Sequence, residues 1–125
     1  FKEINDRNDH IVGDRVIRMV ARTLANGIRS FDIVGRWGGD EFVVLIVNVD
    51  EEQLHTVSEK LRHLIENSGF TEPGETIRIT VSVGGVLAAA GENPEEVIRR
   101  ADRLMLASKT AGRNRVTIGD LPGPG

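Results

Sequence analysis

The sequence has no cysteine, which excludes disulfides and thiolate metal sites. No apolar run is long enough to cross a bilayer, and the residues given show no signal-peptide pattern. A cytoplasmic domain making no membrane contact of its own is expected, with any membrane attachment supplied elsewhere in a longer protein. Excess positive charge is missing too. Sixteen Lys and Arg stand against nineteen Asp and Glu, a net charge of −3, so no basic field exists to attract a nucleic-acid polymer. A polyphosphate ligand would need metal ions or a few local cations. There is no internal repeat and no low-complexity segment within the domain. The 125 residues, 39% hydrophobic and 28% charged, suffice for one soluble domain with one core.

The apolar residues Val16, Ile17, Val20, Ala21, Leu24, Ala25 and Ile28 predict an amphipathic helix over 14–28, with Asp14 at its start as a cap. Two apolar stretches, Phe31 to Gly35 and Phe42 to Val47, flank a Gly-Gly pair and predict a β-hairpin. Leu54, Val57, Leu61, Leu64 and Ile65 stripe a second helix over 51–67, closed by Ser68-Gly69. Pro73-Gly74 marks a turn. Ile77, Ile79, Val81 and Val83 alternate with polar residues and read as the plainest strand of the chain. Asn93-Pro94 opens a third helix that Gly112 stops, and Val116 and Ile118 predict a last short strand. The class is α+β, an antiparallel-rich sheet with helices packed on it. With one further strand upstream the order would begin βαββαβ, the ferredoxin-like pattern shared with polymerase palm domains.

The hairpin tip, Gly38-Gly39-Asp40-Glu41-Phe42, carries the most chemistry. Glycines permit positive φ and close approach by a ligand, and their N–H groups can meet phosphate oxygens. Two adjacent carboxylates repel each other unless a cation binds between them. Read alone, the tip is better explained as a plain Gly-rich turn with solubilising acids, which are common.

Its company decides between these. Gly38 to Phe42 matches the signature of the GGDEF family letter for letter. Phe1-Lys2-Glu3-Ile4-Asn5-Asp6, His10 and Gly13-Asp14 resemble the family's opening motif, and Lys109-Thr110-Ala111-Gly112-Arg113-Asn114 resembles its closing one. The resemblance covers nearly the whole chain and implies the catalytic domain of a diguanylate cyclase, which joins two GTP into cyclic di-GMP. It implies that Asp40 and Glu41 bind metal and help deprotonate the ribose 3′-hydroxyl, with two Mg2+ per site and Mn2+ as the alternative ion. Asn5 and Asp14 would read guanine, since a carboxylate can accept from its N1–H and N2–H₂ together. His10 would line the substrate site with Gly38 and Gly39, and Lys2 would stabilise transition-state charge. Lys109 and Arg113 would grip the β- and γ-phosphates. Each of these has a plain structural counterpart: a cap for Asp14, a turn residue for Asn5, a surface histidine for His10, a solvated lysine for Lys2, and cations complementing a helix C-terminus for Lys109 and Arg113. Each domain would hold one GTP, so the active form is expected to be a homodimer governed by upstream sensor domains.

Arg29-Ser30-Phe31-Asp32 reads RxxD and ends six residues before Gly38. At that offset it resembles the family's inhibitory site for cyclic di-GMP, where a planar Arg fork suits a guanine edge or a phosphate. The plain counterpart is an ion pair at a helix–strand junction. Lys60, with Arg62 nearby, stands where many family members place a further arginine for this site. Two departures from the family are noted. Asp9 stands where Gly is usual. The family also has a strand before the opening motif that carries a metal-binding Asp, and the chain as given starts at Phe1. The expectation is therefore a domain over 1–120 without its first strand, a flexible tail over 121–125, and cyclase activity in the parent protein rather than in these residues alone. The competing expectations are a non-catalytic GTP or cyclic di-GMP binding module and, last, a structural ferredoxin-like dimerisation domain.

Overall fold

The computed structural model describes residues 10–72 and 75–119. Lys2 and Asn5, the Pro73-Gly74 turn and the 121–125 tail lie outside the described residues. In chain order the elements are helix α1 (His10–Gly27), strands β1 (Ile33–Gly38) and β2 (Glu41–Leu45), helix α2 (Glu51–Glu66), strands β3 (Phe70–Glu72), β4 (Glu75–Ile77) and β5 (Val83–Val86), helix α3 (Pro94–Thr110) and strand β6 (Val116–Gly119). The α+β class and the hairpin carrying the Gly-Gly pair are as the sequence predicts.

The chain divides into two compact units. The first holds the residues up to Val47 together with Leu64–Thr80, and the second holds Asn48–His63 and the residues from Val81 onward. In the first unit, α1 contacts β1 and buries Val16, Val20 and Leu24, one turn apart along a single face. Burying each such side chain is worth about 1.5–3 kcal/mol. Among the described residues of this unit, Ile65, Ile77 and Ile79 are buried as well. The helix begins earlier than predicted. Asp14 therefore lies within α1 and is exposed; with helical residues ahead of it, it cannot be the cap.

β1 and β2 pair antiparallel from Ile33↔Leu45 to Arg36↔Phe42, and then Gly38 faces Glu41. Trp37 is thus the extra residue of a β-bulge. The ladder runs closer to the tip than the apolar stretches suggest, because the two-residue turn sets backbone register whatever the polarity of Arg36 and Glu41.

In the second unit, α2 starts with a reciprocal cap. The Gln53 N–H donates to Asp50 Oδ1 at 2.7 Å and the Asp50 N–H donates to Gln53 Oε1 at 2.9 Å. Helix α3 begins as predicted, with Asn93 as N-cap accepting from the Glu95 N–H at 2.8 Å and Pro94 in the first turn. It links two parallel strands, β5 and β6, which cannot be joined by a hairpin and need such a crossover. Helix and strand approach closely at Gly84. A Cβ there would lie 2.2 Å from both the Ala101 carbonyl oxygen and the Met105 nitrogen. A fork between Arg100 and Glu92 (3.0 and 2.8 Å) and an Arg100 bond to the Leu87 carbonyl (3.1 Å) tie the loop before α3 to the helix.

One predicted strand is corrected. Ile77 to Val83 is not a single strand: β4 ends at Ile77, β5 begins at Val83, and 78–82 lie in neither. Ile77 pairs with Phe70, whereas Val83 pairs with Val116. Alternating polarity reports which face is buried and says nothing about which backbone supplies the hydrogen bonds. The short β3–β4 pair was not predicted at all.

Candidate functional site

The hairpin tip is a two-residue turn, Gly39-Asp40, closed by the facing pair Gly38 and Glu41. Gly39 has φ +48, a conformation that costs an L-residue roughly 1–2 kcal/mol. Apart from the adjoining residues, no described atom lies within 4 Å of where a Cβ would stand on either Gly38 or Gly39, so both positions face open space. Asp40 is exposed and Glu41 half-buried. Arg36 pins the turn from within β1, its Nε and Nη2 both donating to the Gly39 carbonyl oxygen. Trp37, placed outward by the bulge, is 59% exposed beside the tip. Neither Arg36 nor Trp37 was flagged from sequence, since nothing in the spacing announces a side chain that folds back on its own turn.

The donor chemistry fits a hard divalent cation. Magnesium keeps several waters and is commonly held by one or two carboxylates plus substrate phosphates, and Asp40 with Glu41 supplies that complement. Among the described residues no group of three or more acidic, His or Cys side chains converges as an all-protein metal cage.

The RxxD segment folds into a specific junction between α1 and β1. The Asp32 carboxylate accepts from the Arg29 N–H (3.1 Å), from Arg29 Nε (3.2 Å) and, through its other oxygen, from the Val47 N–H (2.9 Å). The Val47 bond, followed by those from Arg29, outweighs burial and holds the carboxyl below the usual aspartate range. Arg29 also donates to the Val47 carbonyl and lies over the Phe31 ring at 4.6 Å. Asp32 is buried, whereas the Arg29 side chain is 48% exposed. The plain counterpart weighed above is thus present, and the exposed half of Arg29 remains accessible. Lys60 is exposed on α2.

In the second unit, Lys109 and Arg113 flank the C-terminus of α3. The helix closes with the Gly112 N–H on the Lys109 carbonyl (3.4 Å) and the Arg113 N–H on the Ser108 carbonyl (2.9 Å), the paired bonds of a Schellman cap. Gly112, Arg113 and Asn114 all have positive φ, at 130, 63 and 47. Ser108, fully buried, donates to the Val83 carbonyl at 2.9 Å and shares a 2.7 Å hydrogen bond with Thr117. His10 is the first residue of α1.

The family model described as "Diguanylate cyclase, GGDEF domain" matches residues 1–115. Diguanylate cyclase A of Treponema denticola is 34% identical over 119 residues, covering 94% of this chain and 32% of its own length. The crystal structure of diguanylate cyclase SiaD with its activator SiaC, from Pseudomonas aeruginosa, matches with a TM-score of 0.89 at 31% identity, over 94% of this chain and 45% of that one. The GGDEF domain of DgcB from Caulobacter crescentus in complex with c-di-GMP matches at 0.86 and 33% identity, over 94% of this chain and 70% of that one. The chain spans about a quarter to a third of the length of the curated relatives it matches first.

Proposed function

Because the chain belongs to the diguanylate cyclase GGDEF domain family, we propose that it is the catalytic domain of a longer enzyme that condenses two GTP into cyclic di-GMP. The observation that carries this reading is the tip itself: two carboxylates on an open Gly-Gly turn that Arg36 holds in place.

In the proposed reaction the 3′-hydroxyl of one GTP attacks the α-phosphorus of the other. The O3′–P bond forms, the bond to the β-phosphate oxygen breaks, and pyrophosphate leaves. Repeating the step in the opposite sense closes the ring. Asp40 and Glu41 take up the hydroxyl proton and hold the divalent cations, magnesium being the proposed ion. When bound, such ions neutralise the developing charge and ease loss of pyrophosphate. The Gly38 and Gly39 backbones give the phosphates close approach. Lys109 and Arg113 bind the β- and γ-phosphates, and neither side chain has an ion-pair partner among the described residues. Asp14 reads the guanine edge, and its exposed position on α1 leaves it available. Asn5, His10 and Lys2 are proposed in the roles the resemblance implies. Each domain binds one substrate, so catalysis needs two copies face to face. Product inhibition at Arg29 and Asp32, with Lys60 as the proposed second cation, would use the exposed part of the Arg29 fork while Asp32 keeps that arginine oriented.

The test is GTP turnover with magnesium, resolving products by chromatography and mass, for this chain beside a version extended upstream by one strand. Cyclic di-GMP and pyrophosphate from the extended version support the reading. Tight GTP or cyclic di-GMP binding without product from either version would instead favour the binding module.

A further inference from the structure

One residue of the closing motif adopts a backbone conformation that it does not favour. Glycine accepts positive φ freely and asparagine with little cost, but Arg113 at φ 63 has neither advantage. Several bonds hold this turn. Arg115 Nε donates to the Arg113 carbonyl at 3.2 Å. From α2, Arg62 Nη1 donates to the Asn114 side-chain oxygen at 2.8 Å, across fifty-two positions of sequence. Arg62 is itself aligned by a two-point contact with Glu59, at 3.3 and 3.1 Å, and its side chain is only 15% exposed. Its guanidinium is a fixed strut rather than a swinging surface charge. Buried Ser108 locks the last turn to β5 and β6. The supporting residues are thus mutually satisfied, while the motif cations Lys109 and Arg113 have no ion-pair partner among the described residues.

We propose that Arg62 is a positioning residue for phosphate binding: anchored by Glu59, it holds Asn114 in its left-handed conformation and so fixes the turn from which Arg113 meets the substrate, after Lys109 in the last turn of α3. This rests on the reading that those two cations contact the GTP phosphates. Pre-organising a strained turn before binding removes an ordering cost that the ligand would otherwise carry. Arg62 therefore acts on the phosphate part of the affinity and leaves the guanosine part unchanged.

The experiment measures, by calorimetry on the full chain in magnesium buffer, the affinity for GTP and for guanosine. The ratio of the two is the phosphate increment. Arg62→Ala is expected to shrink that increment about tenfold, the scale of one charge-assisted contact, with guanosine affinity unaltered. Arg62→Lys, which keeps the charge but not the fork, should fall between. Asn114→Gly tolerates positive φ without the strut, so it should fold normally and still lose most of the increment. It serves if Arg62→Ala unfolds. Arg99→Ala removes a cation of an exposed pair on α3 and should leave the increment intact. If Lys109→Ala shrinks the increment while Arg62→Ala and Asn114→Gly preserve it, the positioning role is overturned and the phosphate reading stands. If the unaltered chain binds GTP no more tightly than guanosine, the phosphate reading fails and the proposal falls with it.

Discussion

The hairpin tip and the closing turn after α3 both carry motif residues, and the fold holds them by opposite means. The tip is local. Gly39 supplies the positive φ, Arg36 reaches forward three residues to pin it, and the side chains around it are largely exposed. The closing turn is non-local: it rests on a buried serine, on two parallel strands, and on Arg62 from another helix. Substitutions at the tip should therefore alter chemistry with little loss of stability, and substitutions beneath the closing turn should alter stability first.

The largest effect separating the two regions is expected at Gly84. A methyl there meets α3 backbone at 2.2 Å, where no side chain can rotate away. Gly84→Ala should destabilise by about 1–3 kcal/mol or unfold the second unit, as overpacking does, seen as a lowered midpoint in urea. A midpoint unchanged from the parent would mean that helix and strand are free to separate and that the closing turn is not rigidly based.

A smaller effect is expected at Gly39→Ala. The new Cβ has open space, so only the backbone conformation is penalised, by about 1–2 kcal/mol at most. Thermal unfolding should shift by a few degrees, while product formation by the upstream-extended version falls much further. Equal losses in both would erase the distinction between the regions.

The smallest effect concerns the junction at Asp32, a third way of holding a motif. Its carboxyl lies below the ordinary aspartate value when folded. The stability it contributes is fully present above the unfolded aspartate pKa, about 3.9, and is lost as pH falls through the depressed folded value. Asp32→Asn should therefore lower stability at neutral pH and flatten the acid limb of the urea midpoint below about pH 4. An acid limb as steep as that of the unaltered chain would show that other carboxylates dominate there.

Much of this was legible in the sequence because it is local. The hairpin announced itself through Gly-Gly between apolar stretches, α3 through Asn93-Pro94, and the stripes of α1 and α2 through their spacing. The candidate residues Asp40, Glu41, Lys109 and Arg113 stood out through short motifs in a fixed order. What stayed hidden depends on partners far away in the chain. The break between Ile77 and Val83 arises because the two ends of one apolar alternation pair with different strands. Arg62 appeared only as a cation near the place expected for an inhibitory-site residue. Its bonds to Glu59 and, fifty-two positions away, to Asn114 in the turn after α3 are not legible from spacing. Asp14 looked like a cap because Gly13-Asp14 stands just ahead of the apolar stripe that begins at Val16, yet the helix begins at His10.

The most direct test of the account is to replace Asp40 and Glu41 by their amides, separately, in the upstream-extended version, and to measure GTP binding and cyclic di-GMP production on the same samples. The account predicts folded proteins that still bind GTP but lose product formation by a factor of about 10² or more, the scale of a lost general base or metal ligand. Cyclic di-GMP production at the unaltered rate by both variants would contradict it, since the tip would then be a turn and not a catalytic site.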